Sequence, residues 1–137
     1  MKRFAILALC SLLLLTATAQ TGRWKGVFYN KEQDLRIQID LYDTTVVATN
    51  YPFLGKLNGY LTGDIYDAWF LTTFEFDSTT AVCRFSNDLG SETQTIKLTF
   101  QEDGTLLYET KNGNAIRKAV QGKWVKVPSE LVFIRRK

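Results

Sequence analysis

The chain has 137 residues, a formal net charge of +3 and no histidine, which reads as one domain without the commonest general base and the commonest neutral metal ligand. Hydrophobic residues make up 45% of it and prolines number only two. A disordered or collagen-like chain is therefore excluded, because there is enough apolar surface to build a core.

Lys2 and Arg3 precede an apolar run from Phe4 to Leu15 that only Ser11 interrupts, and Ala17-Thr18-Ala19 sets small residues at −3 and −1 of a cleavage site. These are the three parts of a secretory signal peptide. A bilayer-spanning helix needs about 20 apolar residues, and this run is shorter. The expectation is cleavage after Ala19, no stable membrane anchor, and export to the periplasm or the medium. Cys10 follows Leu9 rather than a small residue and sits inside the apolar run, so it reads as part of the signal and not as a lipidated cysteine.

Removing residues 1–19 from 137 leaves 118 residues, 20–137, with fifteen basic groups against fourteen acidic ones. That balance gives no case for nucleic-acid binding, which takes a concentrated positive patch. Cys83 is then alone and cannot form an internal disulfide. It occupies an apolar position of an alternating stretch, which predicts a buried, inert thiol.

From residue 20 onward the apolar period is two, not 3.6. Strands are predicted near 23–30, 35–42, 45–50, 58–66, 68–76, 80–86, 93–101, 104–110, 115–121 and 123–135, the last open to a break at Pro128. Leu35, Ile37, Ile39 and Leu41 share one face of the second strand. In the fifth, Phe70, Thr72, Phe74 and Phe76 share a face, with Trp69 and Glu75 on the outer side. Cys83 and Phe85 face inward from the sixth, and Ile96, Leu98 and Phe100 from the seventh. Asn58-Gly59, Asp103-Gly104 and Asn112-Gly113 are the strongest turn signals, since such pairs tolerate positive φ at both central positions. Connections this short force antiparallel neighbours. Eight to ten such strands must seal their apolar face, and the all-β fold expected is an antiparallel up-and-down β-barrel. A two-layer sandwich remains the alternative, disfavoured because it usually needs longer crossovers.

At Gly22-Arg23-Trp24 the chain resembles the lipocalins and the wider calycin group, whose barrels open with G-x-W on the first strand. The expected domain over 20–137 is similar to a small secreted bacterial lipocalin-like protein. The resemblance implies that Trp24 closes one end of the barrel and that Arg135 or Arg136 of the last strand lies across it. The same triplet form recurs at Gly122-Lys123-Trp124, with little else shared between the two segments.

A barrel of this size is filled by side chains or holds one small ligand. Phe70, Phe74, Phe85 and Phe100 line such a pocket or plug it. Tyr51-Pro52-Phe53-Leu54-Gly55 is an apolar loop in which Tyr51, Phe53 and Leu54 either cover the open barrel end or fold back onto the core. The expectation is a binding protein that holds a small apolar or amphipathic ligand through Tyr51, Phe53, Leu54, Phe70, Phe74, Phe85 and Phe100. The alternative is a packed barrel acting as a protein-interaction or inhibitor module with an envelope partner. Neither reading calls for a cofactor or a metal. Asp64 and Asp67, and Glu75 and Asp77, are carboxylate pairs near turns, where turn chemistry explains them better than catalysis does; the expectation is that the protein is not an enzyme.

Overall fold

The alternation of β8 (Thr93–Phe100) is the pattern on which the fold is built: Gln94, Ile96, Leu98 and Phe100 are buried, and the residues between them are half-exposed. The same period buries Leu35, Ile37 and Ile39 of β2 (Leu35–Asp40) and Ala81, Cys83 and Phe85 of β7 (Thr80–Asn87). In the computed structural model, which describes residues 22–136, these strands join β1 (Lys25–Asn30), β5 (Gly59–Gly63), β6 (Trp69–Phe76), β9 (Leu106–Gly113) and β12 (Glu130–Arg135). All eight close into an antiparallel barrel in the order β1-β12-β9-β8-β7-β6-β5-β2. The signal peptide expected over 1–19, with Cys10, lies outside the described residues.

Two connections carry small hairpins of their own. β3 (Val46–Val47) pairs with β4 (Lys56–Leu57) between β2 and β5, and β10 (Arg117–Val120) pairs with β11 (Lys123–Lys126) between β9 and β12. The barrel itself has eight strands, within the eight to ten expected, and the two hairpins bring the described residues to twelve strands. The strand read over 45–50 shrinks to two residues, and 123–135 is two strands with Pro128 in the gap. Proline cannot donate to a ladder, so the strand ends there.

The fifth predicted strand needs a correction. A register shift between Leu71 and Thr73 puts a β-bulge in β6, and the hydroxyl of Thr72 donates to Arg84 O at 3.0 Å. A bulge adds one residue and flips the facing of everything after it. Trp69 and Leu71 therefore point into the barrel, Trp69 with 2% of its surface exposed, whereas Phe70 points out. Beyond the bulge Phe74 pairs with inward Cys83, as expected.

The interior is filled. Phe28, Leu35, Phe85, Leu98, Tyr108 and Phe133 expose no surface to a water-sized sphere, and an enclosed void large enough for water would count as such surface. Each such burial contributes roughly 1.5–3 kcal/mol. Burial also pushes the Cys83 thiol up to about 12, so it stays protonated and inert.

Closure of the barrel rests on a short seam. β1 meets β12 through Phe28↔Arg135 and Tyr29↔Ile134, and Arg136 N donates to Val27 O at 2.8 Å just beyond them. Side chains extend the seam at both ends. Asn30 Nδ2 donates to Val132 O at 2.9 Å, and Arg135 donates to Arg23 O and Lys25 O at 2.6 and 2.8 Å.

Candidate functional site

One end of the barrel is shut by Trp24. Its indole lies 4.5 Å from Phe100 between ring centroids and donates from Nε1 to Asp77 O at 2.7 Å. Of Arg135 and Arg136, either of which was expected across it, Arg135 stands at this end, but its guanidinium lies over Phe28, 4.7 Å from the ring centre, and its hydrogen bonds bracket the Trp24 backbone instead. Arg23, from beside the tryptophan, covers Phe100 at 5.0 Å. Such cation–aromatic contacts contribute about 0.5–1 kcal/mol when exposed and ~2 when desolvated. Arg136 takes no part in this closure. Its amide donates to Val27 O, and its side chain borders an open groove of about 590 Å3 on the outer wall, with Tyr29, Arg36 and Ile134.

The Tyr51–Leu54 loop does not cover a barrel end. Residues 41–58 form a strap over the outer wall, where Val46, Ala48 and Tyr51 cover outward-facing Tyr60 and Phe70. Tyr51 meets Phe70 edge-on at 5.1 Å, which is why Phe70 is only 7% exposed although it faces away from the lumen. Phe53, in the short 3-10 turn Pro52–Leu54, is 78% exposed, and Leu54 is exposed beside it. The seven residues expected to line one pocket are therefore split. Phe74, Phe85 and Phe100 face inward, Phe70 and Tyr51 pack on the outer wall, and Phe53 and Leu54 stand in solvent.

Asp40 anchors the strap. Its carboxylate is buried and accepts from the amides of Tyr42 and Asp43 at 3.1 Å and from Thr45 Oγ1 at 2.6 Å, with Lys25 Nζ 3.8 Å away. Burial pushes this carboxyl up, but those hydrogen bonds and Lys25 outweigh it and hold the pKa below its ordinary value. The lowered pKa contributes stability in full above the unfolded value of about 3.9, and loses it as the pH falls through the folded value. Asp40→Asn is expected to cost about 1–3 kcal/mol in urea unfolding at pH 7. The gap to the parent protein should narrow below about pH 4; a gap that widens there contradicts this role.

Two of the acidic residues near turns have local partners. Asp77 accepts from the amides of Thr79 and Thr80, which lowers its pKa, and Asp64 lies 3.9 Å from Lys118. Among the described residues no group of three or more metal-ligating side chains comes together.

The opposite end of the barrel carries the β10–β11 hairpin. Gln121 and Gly122 both have positive φ, so a two-residue turn joins the strands, which form a sheet of two whose Arg117 O also accepts from Tyr66 N at 2.8 Å. Trp124 is 59% exposed, lies 4.8 Å from Tyr66, and stands with Val120 and Val125 in solvent. Between Thr110 and Ser129 the chain has five basic residues and no acidic one. Lys111, Arg117 and Lys118 meet Glu109, Glu92 and Asp64, whereas Lys123 and Lys126 have no carboxylate within 4.0 Å among the described residues.

Beside this connection an open pocket of about 190 Å3 is bordered by Thr110, Gly113, Lys126 and Ser129, with Ile116 and Val127 in its lining and Gln94 and Tyr108 buried behind it. Gln94 Nε2 donates to Asn114 O at 3.0 Å. A carbonyl only accepts, so this bond fixes which end of the amide is which. Gln94 Oε1 and Tyr108 Oη are buried with no hydrogen-bond partner, at a cost of about 1–3 kcal/mol each. Burial pushes the Tyr108 phenol up and keeps it a donor. Sequence reasoning missed both residues, although Gln94 stands in register with the inward-facing Ile96 and Leu98.

No family model matches the chain, and no curated protein or solved structure matches it.

Proposed function

We propose that this chain is an exported protein-interaction module: a filled barrel that presents the β10–β11 hairpin to an acidic protein partner. The observation that carries the reading is a ribbon that sets solvent-facing Trp124 beside Lys126 on one face, and Val120 and Val125 beside Lys123 on the other. Exposed apolar side chains cost solubility unless something covers them, and aromatic residues beside cations are typical contact anchors. The unpaired lysines fit a partner segment in which carboxylates flank an apolar residue. A carrier of an apolar ligand would need open space where Phe28, Phe85 and Phe133 are packed. Export rests on the sequence of residues 1–19.

Selection of a displayed peptide library on the 20–137 chain tests the reading. The peptides enriched should carry acidic residues around an apolar one. Trp124→Ala, or Lys123→Glu with Lys126→Glu, should weaken their binding about tenfold or more, and added salt should weaken it further. Enrichment of peptides that bind these variants as well as the parent overturns the proposal, and so does no enrichment at all.

A further inference from the structure

We infer that the free edge of β6, from Thr72 to Phe76, is a docking site for an extended segment of a protein partner, which lies antiparallel beside β6 as an added strand and carries a basic residue between two apolar ones. The edge reaches the Trp24 end of the barrel, away from the hairpin.

The edge is open because β6 runs past its neighbour. β5 meets it only at Tyr60↔Phe70 and Leu61↔Trp69, whereas β7 follows it as far as Phe76↔Ala81. Before Gly59 the chain belongs to the strap, where Lys56 and Leu57 pair with Val47 and Val46. Among the described residues no strand stands beside 72–76 on that side. Burial shows the same gap. Thr72, Thr73 and Glu75 are exposed. Phe76 lies opposite wholly buried Ala81, yet it is 40% exposed.

The main-chain groups left without a strand can be named. Asp77 N donates to Thr80 O, so the main chain at Asp77 faces β7. That direction alternates along an antiparallel strand. Glu75 and Thr73 therefore face β7 too, and the N–H and C=O of Phe74 and Phe76 point to the free edge. Another extended main chain matches such a row of donors and acceptors.

The side chains on each face set the chemistry of the segment. Residues opposite Phe74 and Phe76 share their face. There they meet both phenylalanines and Tyr42, which is exposed and lies 5.6 Å from Phe76 edge-on, so apolar groups suit these positions. The residue between them stands on the outer face opposite Glu75. No lysine or arginine nitrogen lies within 4.0 Å of Glu75 among the described residues, so a basic residue is matched there. A hollow of about 290 Å3 beside Glu75, with Thr73 and Val82 in its lining, has room for its aliphatic stem. Arg84 borders the same hollow but donates away from it, to Thr93 and Thr95 on β8. A second copy of the chain fits less well: an antiparallel pair that engages Phe74 and Phe76 at once would set Glu75 against Glu75.

Nuclear magnetic resonance titration of the 20–137 chain tests the site. The probe is a short capped peptide in which one lysine stands between two valines and a threonine closes each end. It should give saturable shifts at the Thr72 to Phe76 amides and slow hydrogen exchange at Phe74 and Phe76. The same peptide with glutamate for lysine should bind about tenfold more weakly, and Glu75→Lys should reverse that preference. Methylating the amide nitrogens of both valines should abolish binding, whereas methylating that of the lysine, which faces away from β6, should not. Absence of saturable shifts, equal binding of the two peptides, or equal effects of the two methylations overturns the proposal. Slow exchange at Phe74 and Phe76 that rises with protein concentration in the absence of peptide assigns the edge to a second copy and overturns it as well.

Discussion

Trp24→Ala is expected to destabilise the protein by about 3–5 kcal/mol, whereas Trp124→Ala is expected to change stability by no more than about 0.5 kcal/mol. Both tryptophans sit in the same short triplet, and only their surroundings differ. Trp24 is 1% exposed, contacts Phe100 and Phe76, and donates to the Asp77 carbonyl. Its removal opens the closed barrel end, exposes Phe100 and leaves the Asp77 carbonyl without its donor. Trp124 touches Tyr66 on a ribbon whose second strand is exposed throughout. Urea unfolding followed by circular dichroism reads the difference as a lowered midpoint for the first variant, and an unchanged one for the second. Equal losses would mean that the hairpin belongs to the stability core, contrary to the structure.

Gly63→Ala and Gly113→Ala are expected to cost about 3 kcal/mol or more each. At Gly63, with φ of +133°, a β-carbon would strike the carbonyl oxygen of Asp34; at Gly113, with φ of +136°, it would strike that of Thr93. Both obstacles are backbone carbonyls already held by an amide, Asp34 O by Asp64 N and Thr93 O by Asn114 N, so neither can swing aside as a side chain would. Gly90 is the control. Its φ is +73°, and nothing lies within 4 Å of an added β-carbon, so Gly90→Ala should cost only about 1–2 kcal/mol. The same denaturation measurement ranks the three, and a Gly90 variant as damaged as the other two would contradict the close approaches.

The barrel was legible because its signal is periodic and repeated. Leu35 to Leu41 and Ile96 to Phe100 alternate cleanly, and in both stretches the apolar positions are buried. The sidedness of β6 was not legible, because the bulge at Thr72 leaves no mark in an alternating pattern: a residue inserted between two apolar positions looks like ordinary alternation. For that reason Trp69 and Phe70 exchange the faces expected of them. The strap was half legible. Pro52 and Gly55 mark an irregular segment, but where an apolar loop lands depends on tertiary packing, here on outward Tyr60 and Phe70. Arg135 was placed at the right barrel end, yet its ring partner is Phe28, since parity along β12 sets it opposite that residue. The unpartnered Gln94 and Tyr108 oxygens escaped notice because an inward glutamine and a tyrosine hydroxyl register only against a filled apolar interior.

The filled interior is the claim on which the rest depends, and crystallography under xenon pressure tests it most directly. Xenon enters apolar cavities without needing a hydrogen bond. The packing of Phe28, Phe85, Leu98 and Phe133 predicts no xenon among these side chains. A well-occupied xenon atom between Phe85 and Phe133 would contradict it and would reopen the barrel as a carrier of apolar ligands.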